Sequence, residues 1–145
     1  MKNHKIETQI NHLGEDTDSY HGAVVPPIFQ NSLFTFKSWD DISDAFDKRT
    51  ESFIYSRGNN PTVSLAQEKI AALACGERAL LFSSGMAAIS AAILHCVNKN
   101  GHIIAVKNIY GPTNNLIYSY LNKKMSLSVT FVSGTDLNEI ESAIQ

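Results

Sequence analysis

The sequence has few cysteines, no long apolar run and no block of basic residues, and each absence excludes a class of protein. Two cysteines, Cys75 and Cys96, are too few for the disulfide framework of a small secreted domain. Both fall in predicted helices, so we expect two buried, reduced thiols in a cytoplasmic protein. No stretch approaches the roughly 18 apolar residues of a membrane-spanning helix. Lys and Arg total 12 against 14 Asp and Glu, without a basic cluster, which argues against a nucleic-acid partner.

The polar N-terminal stretch, residues 1–16, has no apolar core, so we expect no secretory signal there. The sequence also has no Cys/His spacing typical of a metal site and no internal repeat. What is present is the composition of an ordinary globular protein, with 43% hydrophobic and 18% charged residues in a length of 145. That length fits about one domain.

Residues 1–60 are predicted to form an extended arm with little core of its own. Pro26 and Pro27 disfavour helix and favour an extended path. A cap-like Ser38, early acids and late basic residues predict one short helix over residues 38–50. Because such an arm normally lies against something larger, we expect it to pack on a neighbouring subunit.

Residues 61–145 alternate between helix and strand patterns. Asn60 as N-cap and Pro61 at the first position predict the start of a helix, and Gly76 is expected to end it. The predicted elements that follow are a buried strand at 78–82, a helix at 86–97, a strand at 102–106, a helix at 113–124 and a strand at 127–132. A last helix begins at Asp136, with Glu139 at capping-box spacing. The helix at 86–97 is apolar nearly all round, so we expect it to be buried on most sides.

This order predicts an α/β domain with a mainly parallel sheet and right-handed crossovers. Three strands are few for such a sheet, which normally has both faces and both edges covered. The last predicted helix also stops soon after it starts. We therefore interpret residues 61–145 as the first half of a larger α/β domain.

The turn "FSSGM", residues 82–86, could bind a phosphate. In open α/β sheets, ligands bind beyond the carboxyl ends of the strands. The free N–H groups and the positive dipole end of the next helix lie at Ser84, Gly85 and Met86. Small residues at such a turn also serve tight packing, and on this stretch alone packing is the favoured interpretation.

Two further segments have similar alternatives. Tyr110, after the strand at 102–106, could be a platform for a planar ligand or an aromatic side chain covering the sheet edge. In "YSRGNNPT", residues 55–62, Arg57 could bind a phosphate through its two-pronged guanidinium, with Tyr55 donating to the same oxygens. Otherwise Arg57 is a solvated loop residue. The three segments in this order favour a phosphate ligand more strongly than any one of them.

Together, "YSRGNNPT", "ALLFSSGMAAI", "HIIAVKNIYGPT" and the arm segment "GAVVPPI" resemble the Cys/Met-metabolism (transsulfuration) family of pyridoxal-phosphate (PLP) enzymes. The resemblance covers essentially the whole chain. It implies the N-terminal part of the type I, aspartate-aminotransferase-like PLP fold, with PLP as cofactor. It also implies β/γ-elimination or γ-replacement on sulfur amino acids or homoserine esters, in a dimer or dimer of dimers with shared active sites.

The same resemblance implies a role for each candidate residue. Ser84, Gly85 and Met86 would hold the PLP phosphate, the last two through backbone N–H groups. Tyr110 would stack on the pyridine ring and take part in proton transfer. Tyr55 and Arg57 would reach the phosphate of the cofactor in the neighbouring subunit.

The sequence also departs from the family. It contains no Ser-x-Thr-Lys motif around a Schiff-base lysine, and Lys107, the only lysine near the implied site, lacks a setting that would make it nucleophilic. We therefore expect this chain alone to be inactive. Pro112 stands where methionine γ-lyases tend to carry cysteine, which slightly disfavours that activity. The alternatives are a non-catalytic truncated product and a small module that binds a phosphate ligand.

Overall fold

The computed structural model describes residues 5–14 and 16–144. The chain divides into two compact units, Met1–Leu81 and Phe82–Gln145. Positions 1–4 and 15 of the predicted arm, and position 145 of the last predicted helix, lie outside the described residues. Within the described ranges, no helix has the length and apolarity needed to cross a membrane.

The first unit contains three helices: α1 (Ile6–His12), α2 (Trp39–Asp47) and α3 (Pro61–Leu73). Ser38 caps α2 by accepting a hydrogen bond from the Asp41 N–H at 3.1 Å, as the sequence predicted. Helices α1 and α3 pack together, and the Lys69 ammonium donates to the Asn11 carbonyl at 3.1 Å. This packing gives the N-terminal segment an anchor within its own unit.

Helix α3 begins as expected but ends differently. Asn60 accepts from the Thr62 N–H at 2.9 Å, with Pro61 at the first helical position. At the other end, Cys75 takes the left-handed conformation with φ +53°. The N–H of Cys75 donates to Ala72 and that of Gly76 to the Ala71 carbonyl, which is the Schellman arrangement. The predicted stop at Gly76 is therefore displaced by one residue.

The second unit consists of α4 (Gly85–Cys96), β1 (His102–Val106), α5 (Gly111–Asn114), a π-helical segment (Asn115–Leu121), α6 (Asn122–Met125), β2 (Ser128–Val132) and α7 (Leu137–Ser142). Strands β1 and β2 pair in parallel, with His102 opposite Ser128 and Val106 opposite Val132. The α/β class and the parallel pairing are confirmed. The core of this unit is built from Ala105, Ile117, Leu121, Leu127 and Val132, all buried.

The helix predicted over 113–124 is longer and less regular than expected. The helical run extends from residue 111 to residue 125 and has a π-helical middle. Thr113, Ile117 and Leu121, each four residues apart, are all buried. One face of the run is therefore buried.

The prediction of a strand over residues 78–82 is wrong. In the described part of the chain the sheet has two strands, which pair with each other, and the 78–82 segment belongs to neither. Leu80 is 72% exposed and Phe82 44%. An apolar run supplies the side chains of a strand, but strand structure also requires a hydrogen-bonding neighbour.

Two expectations about burial are also wrong. Helix α4 has no fully buried residue, although it is apolar all round. Cys75 and Cys96 are free but exposed, because one lies just beyond the end of α3 and the other is the last residue of α4.

Candidate functional site

The start of α4 presents free backbone N–H groups. Ser84 is the N-cap, and its hydroxyl oxygen accepts from the Ala87 N–H at 3.1 Å. The Ala88 N–H donates to the Ser84 carbonyl at 3.1 Å, which begins the helical ladder. The N–H groups of Gly85 and Met86 precede that ladder, so they are the unsatisfied donors of this helix end. They are positioned to bind an anion at the positive end of the helix dipole.

Gly85 leaves open space at this helix start. A Cβ placed on Gly85 would meet no atom within 4 Å outside its two neighbouring residues and the backbone of its own helix. The glycine is therefore not required by packing within the unit, and the packing interpretation of the small-residue turn loses its main support. A phosphate oxygen can approach the N–H groups of Gly85 and Met86 closely, so these residues fit the phosphate group of PLP.

Tyr110 lies at the start of the helical run that follows β1. Its carbonyl accepts from the Asn114 N–H at 3.0 Å, and its side chain is 63% exposed. The hydroxyl of Thr113, in the same turn, donates to the Met86 sulfur at 3.6 Å. The starts of α4 and α5 are therefore adjacent, which brings Tyr110 and the Gly85–Met86 N–H groups to one region of the second unit.

An apolar groove of about 470 Å³ runs beside Tyr110. Its lining includes Ile89 and Ile93 from α4 and Ile103 and Val106 from β1. This groove was missed by sequence reasoning, although the isoleucines at 89 and 93 lie four residues apart on one helix face. An apolar wall with an aromatic ring at its edge suits a planar, partly apolar ligand.

Tyr55 and Arg57 belong to the first unit and lie together. The Arg57 guanidinium carbon is 5.1 Å from the centre of the Tyr55 ring, a cation–π contact. Tyr55 forms an antiparallel bridge with Leu33 of the arm. Its carbonyl accepts from the N–H of Gly58 at 2.9 Å, which closes the turn that carries Arg57. Both side chains are exposed and available to a ligand.

Asn60, which is 6% exposed, connects the turn that carries Tyr55 and Arg57 to Phe29 in the same arm. Its amide nitrogen donates to the Phe29 carbonyl at 3.1 Å and to the Ser56 hydroxyl at 2.8 Å. The Ser56 hydroxyl in turn donates to the Asn31 carbonyl at 2.5 Å. The sequence predicted Asn60 as a cap, but its hydrogen bond to the Phe29 carbonyl was missed because Phe29 lies 31 residues away along the chain.

Lys107 is solvent-exposed and forms an ion pair, a setting that does not activate it as a nucleophile. Its ammonium lies 3.5 Å from a carboxylate oxygen of Glu139, and its side chain is 64% exposed. Hydrogen bonds from the Ser133 hydroxyl and N–H lower the pKa of Glu139, so this partner stays ionised. A solvated, paired lysine lacks the desolvation that activates an amine. Among the described residues, no cluster of three or more His, Cys, Asp or Glu side chains could hold a metal ion.

Comparison with known proteins gives a consistent match. A family model described as Cys/Met metabolism PLP-dependent enzyme matches residues 7–145. An L-methionine γ-lyase of Treponema denticola is 36% identical over 137 residues, covering 92% of this chain and 33% of the relative. A cystathionine β-lyase of Bacillus subtilis is 37% identical and covers 99% of this chain and 34% of the relative. An O-acetyl-L-homoserine sulfhydrylase of Corynebacterium glutamicum is 35% identical, covering 90% and 30%.

Solved structures match the whole fold. MetB from Corynebacterium glutamicum superposes with a TM-score of 0.84 at 25% identity, covering 99% of this chain and 35% of that one. A protein described as an O-acetylhomoserine (thiol)-lyase from Campylobacter jejuni matches equally well at 27% identity, over 99% and 35% of the two chains, and contains a pyridoxyl group bonded to lysine. The fold is that of the N-terminal part of the type I PLP enzymes. The chain spans about a third of the length of the relatives it matches.

Proposed function

Since this chain belongs to the Cys/Met metabolism family of PLP-dependent enzymes, we propose that it forms the N-terminal portion of a transsulfuration enzyme. The proposed reaction is β/γ-elimination or γ-replacement on a sulfur amino acid or a homoserine ester. When bound, PLP supplies an electron sink for negative charge that develops on the substrate. The relatives include lyases and a sulfhydrylase at 35–37% identity, so similarity does not single out one substrate.

The observation that carries this proposal is the pair of free N–H groups at Gly85 and Met86, with open space in front of Gly85. These donors bind the cofactor phosphate in our proposal. Ser84 contributes by capping the helix, because its hydroxyl accepts from Ala87 and keeps the helix start fixed. A fixed helix end orients the donors before the ligand arrives, which lowers the entropy cost of binding.

Tyr110 is the proposed catalytic residue of this chain. Its exposed ring stands beside the apolar groove and would stack on a planar pyridine ring. Its phenolic oxygen would hold or move a proton next to the reacting amino acid. This assignment is supported by the adjacency of the starts of α4 and α5, which brings the Tyr110 ring and the proposed phosphate donors to one region.

Tyr55 and Arg57 are proposed to reach the cofactor phosphate of a neighbouring subunit. In this proposal residues 1–60 are an arm that packs on that subunit, and residues 61–145 are the first half of the PLP-binding domain. Val24, Val25 and Ile28 of the arm are 74–78% exposed, and such a run of exposed apolar side chains is typical of an interface. The assembly would be a dimer or dimer of dimers with shared active sites.

This chain by itself is proposed to lack turnover. The sequence contains no Ser-x-Thr-Lys motif, and the exposed ion pair of Lys107 does not offer a substitute. A cytoplasmic location is also part of the proposal. It is supported by Cys75 and Cys96, which are free, exposed thiols of the kind that persist in a reducing compartment.

The test compares two glycines that each open a helix. Gly85→Ala adds a methyl group where the phosphate would approach, whereas Gly111→Ala makes the same change at the first residue of α5. In both positions the added Cβ meets no atom within 4 Å outside the two neighbouring residues and the backbone of its own helix. Circular dichroism verifies that each variant is folded, which matters most for Gly111→Ala because Gly111 precedes Pro112. We expect Gly85→Ala to weaken calorimetric binding of pyridoxine 5′-phosphate about tenfold, and Gly111→Ala to leave it within about twofold. Equal affinity in the Gly85→Ala variant and the unmodified chain would refute the proposed cradle.

A further inference from the structure

A pocket of about 420 Å³ in the first unit contains two arginines, Arg49 and Arg57. Arg57 is part of the proposed function, whereas Arg49 has no role in it. Arg49 follows the end of α2 and lies eight residues before Arg57 in the sequence. Ser52 and Asn59 contribute polar groups to the same pocket wall.

Each guanidinium in this pocket lies over an aromatic ring. The Arg49 guanidinium carbon is 5.1 Å from the centre of the Phe46 ring, and the Arg57 carbon is 5.1 Å from that of Tyr55. A guanidinium with five N–H donors keeps donors available for an anion while it makes a cation–π contact. The contact also restricts the side chain, so less conformational entropy is lost when an anion binds.

The backbone fixes both arginines in turns. The Lys48 carbonyl accepts from the N–H of Glu51 at 2.9 Å and of Ser52 at 3.0 Å, which closes the turn that carries Arg49. The turn that carries Arg57 is closed in the same way by the Tyr55 carbonyl. The two cations are therefore presented by short hydrogen-bonded turns rather than by free loops.

The pocket has positive charge and no compensating carboxylate. None of its lining residues is Asp or Glu, although α2 carries four aspartates in sequence. Among the described residues, neither Arg49 nor Arg57 forms an ion pair; their charged groups have only the ring contacts. Two unpaired guanidiniums in one concave surface attract an anion that can accept from both, and a phosphate dianion has enough oxygens to do so.

We propose that Arg49 and Arg57 together form a binding site for a phosphate dianion, in which Arg49 is a second phosphate-binding and affinity-determining residue. This rests on the proposed function only for the contribution of Arg57. The recognised group is phosphate itself, whether free or as an ester such as the cofactor phosphate.

The test measures binding of inorganic phosphate, pyridoxine 5′-phosphate and pyridoxine to the full chain by calorimetry. The variants are Arg49→Gln, Arg49→Lys and Arg57→Gln, with Lys48→Gln as the matched control. Lys48→Gln removes the same charge from the adjacent position but does not line the pocket. Circular dichroism verifies that each variant is folded; these side chains are exposed, so folding should be unaffected.

Arg49→Gln is expected to raise the Kd of both phosphate ligands about fivefold to twentyfold, because a charge-assisted donor pair is lost. Arg49→Lys should lower the affinity about threefold, since lysine keeps the charge but cannot donate two parallel hydrogen bonds as a guanidinium does. Lys48→Gln should stay within about twofold, and pyridoxine should not respond to Arg49. Weakening for the ester but not for inorganic phosphate would show that the source of the dianion is the cofactor ester.

The failures of the two proposals are distinguishable. If Arg57→Gln weakens binding and Arg49→Gln does not, the Arg49 site is refuted while the proposed function stands. If neither variant changes the Kd, both assignments fail. The two-arginine site is also refuted if Arg49→Gln and Lys48→Gln weaken binding equally, or if the unmodified chain gives no heat at about 10 mM phosphate, which would saturate even a site with a Kd near 1 mM.

Discussion

At the scale of single residues, the chemistry proposed for this chain depends most on Tyr110. Its ring is 63% exposed although it borders an apolar groove, and its hydroxyl has no hydrogen-bond partner among the described residues. A large aromatic side chain left open beside a groove contributes little to the stability of its own unit. Its position is more consistent with contact to a ligand than with packing.

Replacing Tyr110 separates the ring from the hydroxyl. We expect Tyr110→Phe to bind pyridoxine 5′-phosphate within about twofold of the unmodified chain, because the stacking face is kept. Tyr110→Leu should weaken binding about threefold to tenfold, as expected for the loss of a ring–ring contact. Tyr120→Leu is the control, since Tyr120 is similarly exposed at 57% but lies outside the groove. Equal weakening by Tyr110→Leu and Tyr120→Leu in the same titration would count against the platform.

At the scale of elements, helix α3 and the arm depend on one another through Asn60. The same side chain caps the helix through its oxygen and holds the arm through its nitrogen. The Phe29 N–H also donates to the Thr62 hydroxyl at 2.9 Å. The turn bearing Tyr55 and Arg57 lies between these contacts, so its position depends on this network.

Asn60→Ala should therefore destabilise the chain more than the loss of an ordinary cap. We expect a loss of about 2–3 kcal/mol in the free energy of unfolding, from the cap and from the unpaired partners. Asn60→Asp keeps the capping oxygen but not the donors, so it should lose about half as much. Urea denaturation measures the change. The control is Asn108→Ala, which replaces an exposed asparagine.

The same variant should also change hydrogen exchange. Exchange at the amides of Phe34 and Ser56, which bond to the Ile54 and Ser32 carbonyls, should accelerate in Asn60→Ala. Unchanged exchange there would contradict the proposed link.

In helix α7, one of the two residues of the predicted capping box caps the helix, and the other forms a different contact. Asp136 caps this helix as predicted, accepting from the Asn138 N–H at 2.9 Å. Glu139 does not complete a capping box; it accepts from the hydroxyl and N–H of Ser133 instead. The carboxylate thus links α7 to the segment that follows β2.

This link should depend on pH. The Ser133 hydrogen bonds hold the pKa of Glu139 below its ordinary value of 4.5. The stabilisation is therefore complete above about pH 4.5 and is lost as the pH falls further, when the carboxylate takes up a proton. In Ser133→Ala, the pKa of Glu139 measured by NMR should rise, and the difference in thermal stability from the unmodified chain should shrink below about pH 4.5. Ser142→Ala, at an exposed position on α7, should change neither quantity; a pKa of Glu139 that is the same in all three proteins would contradict this account.

How much of this could be predicted from sequence depended on the range of the interaction. Ser38, Asn60 and Asp136 each cap a helix with a partner two or three residues away, so their roles followed from local pattern. The prediction of a strand at 78–82 was wrong because an apolar sequence pattern does not specify the neighbouring strand that would supply hydrogen bonds. The Arg49 pocket joins Leu33 to residues 46–59, and Asn60 bonds to Phe29; periodicity does not detect such contacts between separate segments.

At the scale of the whole molecule, the chain consists of two compact units. The first, Met1–Leu81, carries Tyr55 and Arg57, which are proposed to act on a neighbouring subunit, and the second, Phe82–Gln145, carries Tyr110 and the N–H groups proposed to bind phosphate. Both fall within the match to the PLP-dependent family, which covers residues 7–145. The proposed function depends most on binding of the cofactor phosphate at the start of α4.

An amide NMR titration of the full chain with pyridoxine 5′-phosphate measures this binding at single residues, with pyridoxine as the ligand lacking phosphate. We expect the Gly85 and Met86 amide signals to move progressively and to saturate with the phosphorylated ligand, and pyridoxine to leave them in place. Signals that stay fixed while the ligand saturates, or that move equally with pyridoxine, would refute phosphate binding at the start of α4.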